Sequence, residues 1–244
     1  QLDLAGKLMI PIGRQQTLRL FGLYGEQQGL LYDQLFKYEL GFAPAQRITG
    51  GLVTADLQHA SLPGARTPLI VDLRLGWYGN DFHRGELVSQ PDYKFGAFTG
   101  QTFHFKGEEM AERLDTAAAN AAVAGFSNPT FSTATPWGVP AFFLTGGSRG
   151  EIAYNHFEEF RTQLDATIGL GHSTDLFIGA QYLGQQVQTF QRIQAYLPVG
   201  DSVPPASASD FSPQAGSAYT EVQTRLTDLA FSAGLRYDYF DPGI

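Results

Sequence analysis

The sequence predicts an all-β protein: an antiparallel, up-and-down segment of a transmembrane β-barrel, with about eight strands in four hairpins. Apolar and polar residues alternate in runs of about ten residues, a pattern typical of strands with two different faces. Short turns within hairpins alternate with long connections between them. Charged residues are 16% of the chain, against roughly 25% in soluble domains, yet no apolar run approaches the roughly 18 residues of a membrane helix.

The first hairpin is predicted from strands near 2–12 and 17–25, joined by a short turn that begins at Gly13. One face of its first strand carries the apolar set Leu2, Leu4, Leu8, Ile10 and Ile12. The opposite face includes Asp3 and Lys7. Because strand side chains point alternately to the two faces, this segment separates an apolar side from a polar side.

Three further hairpins repeat the pattern along the chain. The second carries Leu73, Leu75 and Trp77 on one face, and the last ends with Phe231, Ala233, Leu235 and Tyr237 on one face. Their strands are predicted near 51–59 and 68–80, 159–170 and 175–187, and 218–226 and 228–240.

The connections between hairpins are long, and the longest is predicted to span 81–158. Glu108, Glu109, Glu112 and Asp115 surround Met110 and Leu114 at helical spacing, which predicts a short helix within this loop. Compact soluble domains rarely contain loops beyond roughly 12 to 15 residues. Short turns on one side and long loops on the other are typical of outer-membrane barrels.

The two predicted faces differ as a lipid-facing side and a water-filled interior would. One face holds Leu, Ile, Val and Ala with aromatic residues toward the strand ends, and the other mixes Gly, Thr, Gln and Ser with occasional charges. Five charged residues are predicted to face the interior, where a plug would dock: Arg74, Arg161, Asp165, Arg236 and Asp238. Because buried charges are costly unless paired, we expect them to pair with one another or with a plug, or to line a wet interior.

The last hairpin resembles a known family. Residues 218–242 read AYTEVQTRLTDLAFSAGLRYDYFDP. This text is similar to a strand pair of TonB-dependent outer-membrane receptors, especially the large type with a carboxypeptidase-regulatory-like domain. An aromatic strand with Gln223 turns tightly into an apolar run that ends in the Gly-Leu-Arg-Tyr-Asp stretch of Gly234–Asp238. The rest of the chain is similar to this family only in its alternation of short turns and long connections.

The resemblance implies a 22-stranded barrel closed by an N-terminal plug domain, in the outer membrane of a Gram-negative bacterium. Such receptors import bulky nutrients (iron chelates, cobalamin, glycans or peptides) with energy relayed by TonB. The partners implied are outer-membrane lipid, the receptor's own plug domain, TonB and the nutrient. Residues 1–244 show no plug domain and no TonB-box segment, so we interpret them as a partial barrel domain, a fragment of the wall.

Two other readings stay open from the residues alone. Eight strands can close into a small barrel whose interior is filled by side chains, and such a protein would have a structural or adhesion role. A soluble β protein is the other alternative. A plug-sized sequence upstream and more hairpins downstream would favour the receptor.

The sequence predicts no enzyme, no cofactor, no metal site and no nucleic-acid partner. The five histidines lack the close spacing of a metal site. Ser232 is predicted to face the interior, whereas a barrel phospholipase needs its nucleophile on the lipid side. The net charge of −8 gives no electrostatic footprint for nucleic acid.

Aromatic residues of the long loop are the candidate ligand-binding set. Loops on a rigid scaffold commonly carry function, and a loop so rich in aromatic residues must also pack on itself. We therefore expect ligand contact or packing within the loop from Tyr93, Phe95, Phe103, Phe105, Trp137 and Phe142.

Overall fold

A computed structural model describes residues 1–31, 43–61, 65–89, 93–94, 97–98, 102–122, 130–132, 143–146, 151–171, 173–192, 205–226 and 228–243. In these residues the protein is all-β apart from two short helices. Its long strands are β1 (Leu2–Ile12), β2 (Gln16–Leu30), β3 (Ala45–Ala60), β4 (Leu69–Gly85), β9 (Ile152–Gly169), β10 (Thr174–Arg192), β12 (Gln214–Leu226) and β13 (Leu229–Asp241). The short elements are β5 (Tyr93–Lys94), β6 (Ala97–Phe98), α1 (Glu108–Glu112), α2 (Thr116–Ala122), β7 (Thr130–Ser132), β8 (Phe143–Gly146) and β11 (Ser207–Phe211).

The main sheet has nine strands, all paired antiparallel. Eight of them follow one path in the order β1-β2-β3-β4-β9-β10-β12-β13, and the short β11 pairs with β10 on the same edge as β12, in line with it. Each long strand therefore neighbours the next long strand of the chain, which confirms the predicted antiparallel up-and-down sheet. Within the described residues β1 and β13 are the two edges, and the sheet is open between them.

The long strands extend beyond their predicted ends on the side of the long connections. β2 continues to Leu30, β4 continues to Gly85, and β9 begins at Ile152. The connection predicted at 81–158 is correspondingly shorter, from residue 86 to residue 151. The physical reason is that backbone pairing continues where the apolar alternation has ended, since ladder hydrogen bonds do not require an apolar side chain.

Turn chemistry fixes the first hairpin. Gly13 has a φ of 73°, in the left-handed region that glycine enters without steric cost. Cross-strand pairing then runs without a break from Ile12 opposite Gln16 to Leu2 opposite Glu26. The tight turn therefore sets the register of the whole hairpin.

The helices lie in the longest connection, and α1 confirms the helix predicted from the acidic spacing. Leu114 has a φ of 54°, which ends the helical path after α1. The Asp115 carboxylate then accepts a hydrogen bond from the backbone N–H of Ala118 at 2.8 Å, which caps the start of α2. No helix in the described ranges is long and apolar enough to cross a membrane.

Among the residues that the structure describes, the buried core is small and lies at the loop end of the sheet. One cluster joins the helices to β9 and β10 through Ala111, Ala119, Ile152, Tyr154 and Phe190, and a second comprises Ala45, Leu87, Phe103 and Phe105. Elsewhere large apolar side chains stay exposed: Leu235 is 79% exposed and Leu8 is 53% exposed. The core therefore anchors the long connection and leaves most of the sheet uncovered.

Candidate functional site

The register collects apolar side chains from all eight long strands on one side of the sheet. Directly paired residues of an antiparallel ladder point to the same face. One unbroken row of paired residues runs across the sheet through Leu8, Leu20, Ala55, Leu75, Thr162, Tyr182, Gly216 and Tyr239. We call the side that carries this row the apolar face, and the opposite side the polar face.

A continuous part of the apolar face contains no charged residue, and we call it the apolar band. It consists of the even-numbered residues of 4–12, 18–24, 160–168, 176–182 and 216–222 and the odd-numbered residues of 53–57, 69–77 and 229–239. Its side chains are almost all aliphatic or aromatic, with Gly and Thr between them. An uncharged stripe that crosses eight strands is a property of the sheet that no single strand has.

Aromatic side chains mark the border of the apolar band on the side of the long connections. This aromatic row consists of Tyr24, Trp77, Phe160, Tyr182 and Tyr239. Two of its tyrosines donate to a carboxylate at the next position of the same face: Tyr24 Oη to Glu26 Oε2 and Tyr239 Oη to Asp241 Oδ2, both at 3.3 Å.

Trp77 makes the same kind of contact across the sheet. Its Nε1 donates to Glu158 Oε1 at 3.2 Å. A Cβ placed on Gly79 would lie 2.6 Å from Cζ2 of the indole, and one on Gly51 would lie 3.3 Å from Cζ3. The ring therefore lies over two glycines, with its apolar surface beside the band and its N–H toward a carboxylate. An amphipathic ring in this orientation suits the boundary between an apolar phase and water.

All five charged residues predicted to face a barrel interior lie on the polar face. Two of them, Arg236 and Asp238, pair with each other, with Nε 2.9 and 3.1 Å from the two carboxylate oxygens. Arg161 pairs with Glu159 at 3.3 Å. Arg74 lies opposite Asp56 in the register. The structure thus places these residues on one side and partners several of them within the sheet.

Asp165 is the fifth of these residues, and it belongs to a network on the polar face. Its carboxylate accepts hydrogen bonds from Gln163 Nε2 at 2.7 Å and from Tyr219 Oη at 2.9 Å. Tyr219 lies on β12 and Asp165 on β9, so the ring must cross β10. It does so over Gly179, the residue paired with both.

The predicted ligand-binding aromatics are only partly described. Phe103 and Phe105 are 2% and 3% exposed and pack with Ala45 and Leu87. Tyr93 lies in β5, with its side chain outside the described residues. Phe95, Trp137 and Phe142 also lie outside the described residues. Packing is therefore the role that the structure shows for Phe103 and Phe105, and ligand contact by the set stays a prediction.

An ion-pair cluster fastens the start of α1 to the loop end of the apolar face, beyond the aromatic row. Arg47 on β3 pairs with Glu108 at the start of α1, and it also donates to the backbone oxygen of Phe103. Arg47 Nη2 lies 3.2 Å from His83 Nδ1 on β4. The His83 ring stacks on Tyr154 and Phe105, with centroids 4.8 and 5.7 Å apart.

Sequence reasoning missed this cluster. Arg47 is 36 residues from His83 and 61 residues from Glu108, so no spacing rule links them. Cross-strand pairing places Arg47 opposite His83. One feature of the sequence could have indicated the pairing of Arg47 with His83. Both residues continue the alternation of the apolar face, Arg47 before the strand predicted near 51–59 and His83 after the strand predicted near 68–80.

The segment that carries the family resemblance forms β12, the following turn and β13. Tyr219 and Gln223 lie on the polar face, opposite Arg236 and Ser232 respectively. A Cβ on Gly234 would lie 2.8 Å from the backbone oxygen of Thr220, so a close approach of backbones accounts for this glycine. No protein-family model matches the chain, and no curated protein matches it in sequence.

Proposed function

We propose that this chain forms part of the wall of an outer-membrane β-barrel in a Gram-negative bacterium, with the apolar band in contact with lipid. The uncharged band across eight strands is the observation that carries the proposal. Residues 229–239 of β13 span about 33 Å along the strand, or about 25 Å across the membrane at a tilt of about 40°. Outer-membrane barrels have an apolar band of roughly this height, bordered by aromatic girdles.

The exposure of the band supports contact with lipid over contact with water. Soluble monomers rarely expose a continuous apolar patch larger than a few hundred Å². Here Leu8, Val53 and Leu235, from three different strands, are each more than half exposed. In lipid the same side chains need no protein cover.

The two open edges of the sheet support a barrel wall with further strands next to β1 and β13. In lipid every backbone N–H and C=O must be paired, which for strands requires a closed barrel. β1 and β13 each have a neighbour on one side only within the described part of the chain. A larger barrel, with further strands against both edges, meets this requirement.

Within that barrel we assign the chain to a TonB-dependent receptor that imports a bulky nutrient, such as an iron chelate, cobalamin, a glycan or a peptide. The resemblance of the sequence of residues 218–242 to a strand pair of that family supports the assignment. The polar face would then line the interior and meet the plug domain, and the long connections would lie outside the cell. The partners proposed are outer-membrane lipid, the plug domain and TonB.

Two adjacent positions test the membrane assignment. Residues 1–244 contain no cysteine; with any cysteine elsewhere in the full-length protein replaced by serine, Leu235→Cys and Arg236→Cys place single thiols on opposite faces of β13. In the full-length protein in intact outer membranes, a lipid-soluble maleimide should label Leu235→Cys and a water-soluble maleimide should not. Arg236→Cys should show the reverse preference. Equal labelling of both thiols by the water-soluble reagent would refute lipid contact.

Import is tested by growth. Strains that lack the receptor gene, TonB or both are grown with an iron chelate, cobalamin, a glycan or a peptide as the limiting nutrient. Loss of growth on the same nutrient in both single deletions, with no further loss in the double deletion, supports TonB-dependent import. A membrane-located protein whose deletion affects none of these would instead favour the structural or adhesion barrel.

A further inference from the structure

Three potential metal ligands converge beside the ion-pair cluster. His83 Nε2 lies 3.4 Å from Glu112 Oε1 and 3.9 Å from Glu108 Oε1. One ligand atom from each residue lies within 4.8 Å of the others. Glu108 and Glu112 are four residues apart on α1, so their side chains share one face of the helix, and that face meets β4 at His83.

The histidine is the strongest indication of a ligand. The His83 side chain is 4% exposed, and its Nε2 has no hydrogen-bond partner within the ranges that the structure describes. A buried polar atom without a partner destabilises the folded state. Two carboxylate oxygens lie near this nitrogen, Glu112 Oε1 at 3.4 Å and Glu108 Oε1 at 3.9 Å, without the geometry of a hydrogen bond.

We propose that His83, Glu108 and Glu112 form a binding site for a divalent transition metal, with Zn²⁺ the best match. Arg47 competes with the metal for His83 and Glu108. The site lies outside the apolar band, and the proposal does not rest on the import function proposed above. One imidazole nitrogen with two carboxylate oxygens is a donor set that suits Zn²⁺ with a fourth position left for water. Ca²⁺ and Mg²⁺ prefer six or more oxygen ligands, which this set does not offer.

The distances suit a small ion after modest side-chain movement. Zn–N and Zn–O bonds of about 2.0–2.2 Å place ligand atoms roughly 3.3 Å apart in a tetrahedron. The 3.4 Å separation of His83 and Glu112 already fits, and Glu108 must approach by about 0.6 Å. Glu112 is 45% exposed, so its side chain is free to adjust.

The local charge favours a cation. Burial, with the Glu108 carboxylate next in effect, raises the pKa of Glu112, and Asp81 and Glu109 add to the shift. A divalent ion would relieve this repulsion among carboxylates. A cavity of about 630 Å³, lined in part by Asp81, His83 and Glu112, offers a route from solvent.

Arg47 opposes the metal in two ways. It pairs with Glu108, and its Nη2 lies against His83 Nδ1. Because a guanidinium only donates, Nδ1 must accept and the ring proton is on Nε2, the atom that would bind the metal. For binding, that proton must move to Nδ1, so Arg47 must leave both the ring and Glu108. The metal and Arg47 therefore compete for the same two residues.

Competition between the metal and Arg47 makes a prediction that a general attraction of cations to acidic residues does not make. Arg47→Gln removes the positive charge and supplies an amide oxygen that can accept from Nδ1–H. It should tighten Zn²⁺ binding about tenfold or more, in line with the effect of groups that orient a metal-binding histidine. Arg47→Lys, which keeps the charge, should not.

The test is calorimetric titration of the full-length detergent-solubilised protein with Zn²⁺, after removal of trace metal. One ion per chain is expected. His83→Gln and Glu112→Gln should each weaken binding about tenfold or more. Glu109→Gln, on the same helix but outside the ligand set, is the matched control and should change affinity less than about twofold.

Other measurements keep the test decisive. Co²⁺ in place of Zn²⁺ should give visible absorption that depends on His83, and Ca²⁺ should not compete. If His83→Gln fails to fold, the exposed Glu112 variant and Arg47→Gln still decide the matter. No Zn²⁺ binding by the Arg47→Gln variant, or equal losses in the Glu109 and Glu112 variants, would overturn the proposal.

Discussion

The Tyr219 hydroxyl donates a hydrogen bond to the Asp165 carboxylate, at 2.9 Å, across an intervening strand. The side chain crosses β10 at Gly179, where a Cβ would overlap the tyrosine ring. A glycine thus makes room for an aromatic ring that joins β12 to β9, two strands that are not themselves paired. A single side chain therefore spans three strands of the sheet.

Gly179→Ala should destabilise the sheet because the new methyl group and the Tyr219 ring cannot occupy the same space. We expect a loss of about 1–3 kcal/mol in the free energy of unfolding, as for overpacked sites. Denaturant unfolding of the protein in detergent micelles measures it. Gly22→Ala is the control, since a Cβ there meets no atom within 4 Å; equal losses in both variants would show that the ring contact does not matter.

Tyr219→Phe keeps the ring over Gly179 and removes only the hydroxyl. The lost hydrogen bond to Asp165 should cost about 1–2 kcal/mol, because the acceptor is a carboxylate. Asp165→Asn, combined with Tyr219→Phe in a double-mutant cycle, isolates the coupling between the two groups. Strict additivity of the two single effects would contradict a direct interaction.

Trp77 should report the border between lipid and water. Residues 1–244 contain two tryptophans, so Trp137→Phe, with any tryptophan elsewhere in the full-length protein also replaced by Phe, leaves Trp77 as the single tryptophan. In vesicles whose lipids are brominated at different depths, bromines close to the headgroups should quench its fluorescence more than bromines near the bilayer centre. Quenching that is equal at all depths, or absent, would argue against the aromatic row as an interfacial girdle.

The anchoring of α1 should weaken in mild acid. Burial lowers the pKa of His83, which lies beyond the apolar band, and the Arg47 charge lowers it further. The detached or unfolded state protonates near the usual histidine pKa of about 6.5, so it binds more protons than the folded state just below that pH. Stability from neutral His83 is therefore present above about pH 6.5 and declines as the pH falls through and below it.

Hydrogen–deuterium exchange of residues 105–115, corrected for the intrinsic pH dependence of exchange, measures this effect. Protection should fall between pH 7.5 and pH 5.5. The comparison is made in a Glu112→Gln background, because the pKa of Glu112 is raised and its titration would act in the opposite direction. His83→Gln should abolish the pH dependence, and a dependence that persists in that variant would assign it to another group.

The alternation of apolar and polar residues was enough to predict most of the long strands. The strand predicted near 2–12 coincides with β1, since every second residue there is apolar and a turn glycine follows. In β4 the prediction stopped near residue 80, yet pairing continues to Gly85. Asn80, Asp81 and Arg84 hide that extension, because their polar side chains break the pattern while the backbone still pairs.

The polar-face residues were predictable and the ion-pair cluster was not. Arg74 and Arg236 occupy positions set by the parity of their strands, and a period of two is local information. His83 and Glu108 meet because a helix in the longest connection folds back onto β4. Such a contact depends on loop closure over many residues, which no local period records.

The sequence by itself determined the strand order and the two faces of each strand. Both follow from the alternation of side chains and the length of the turns, which act between neighbours in the chain. Only the tertiary structure decided the rest: one uncharged band across eight strands, the ring of Tyr219 over Gly179, and the proximity of His83 to Glu108 and Glu112. These depend on cross-strand register and on the docking of α1, interactions between residues that are distant in sequence and become neighbours only when the sheet has formed.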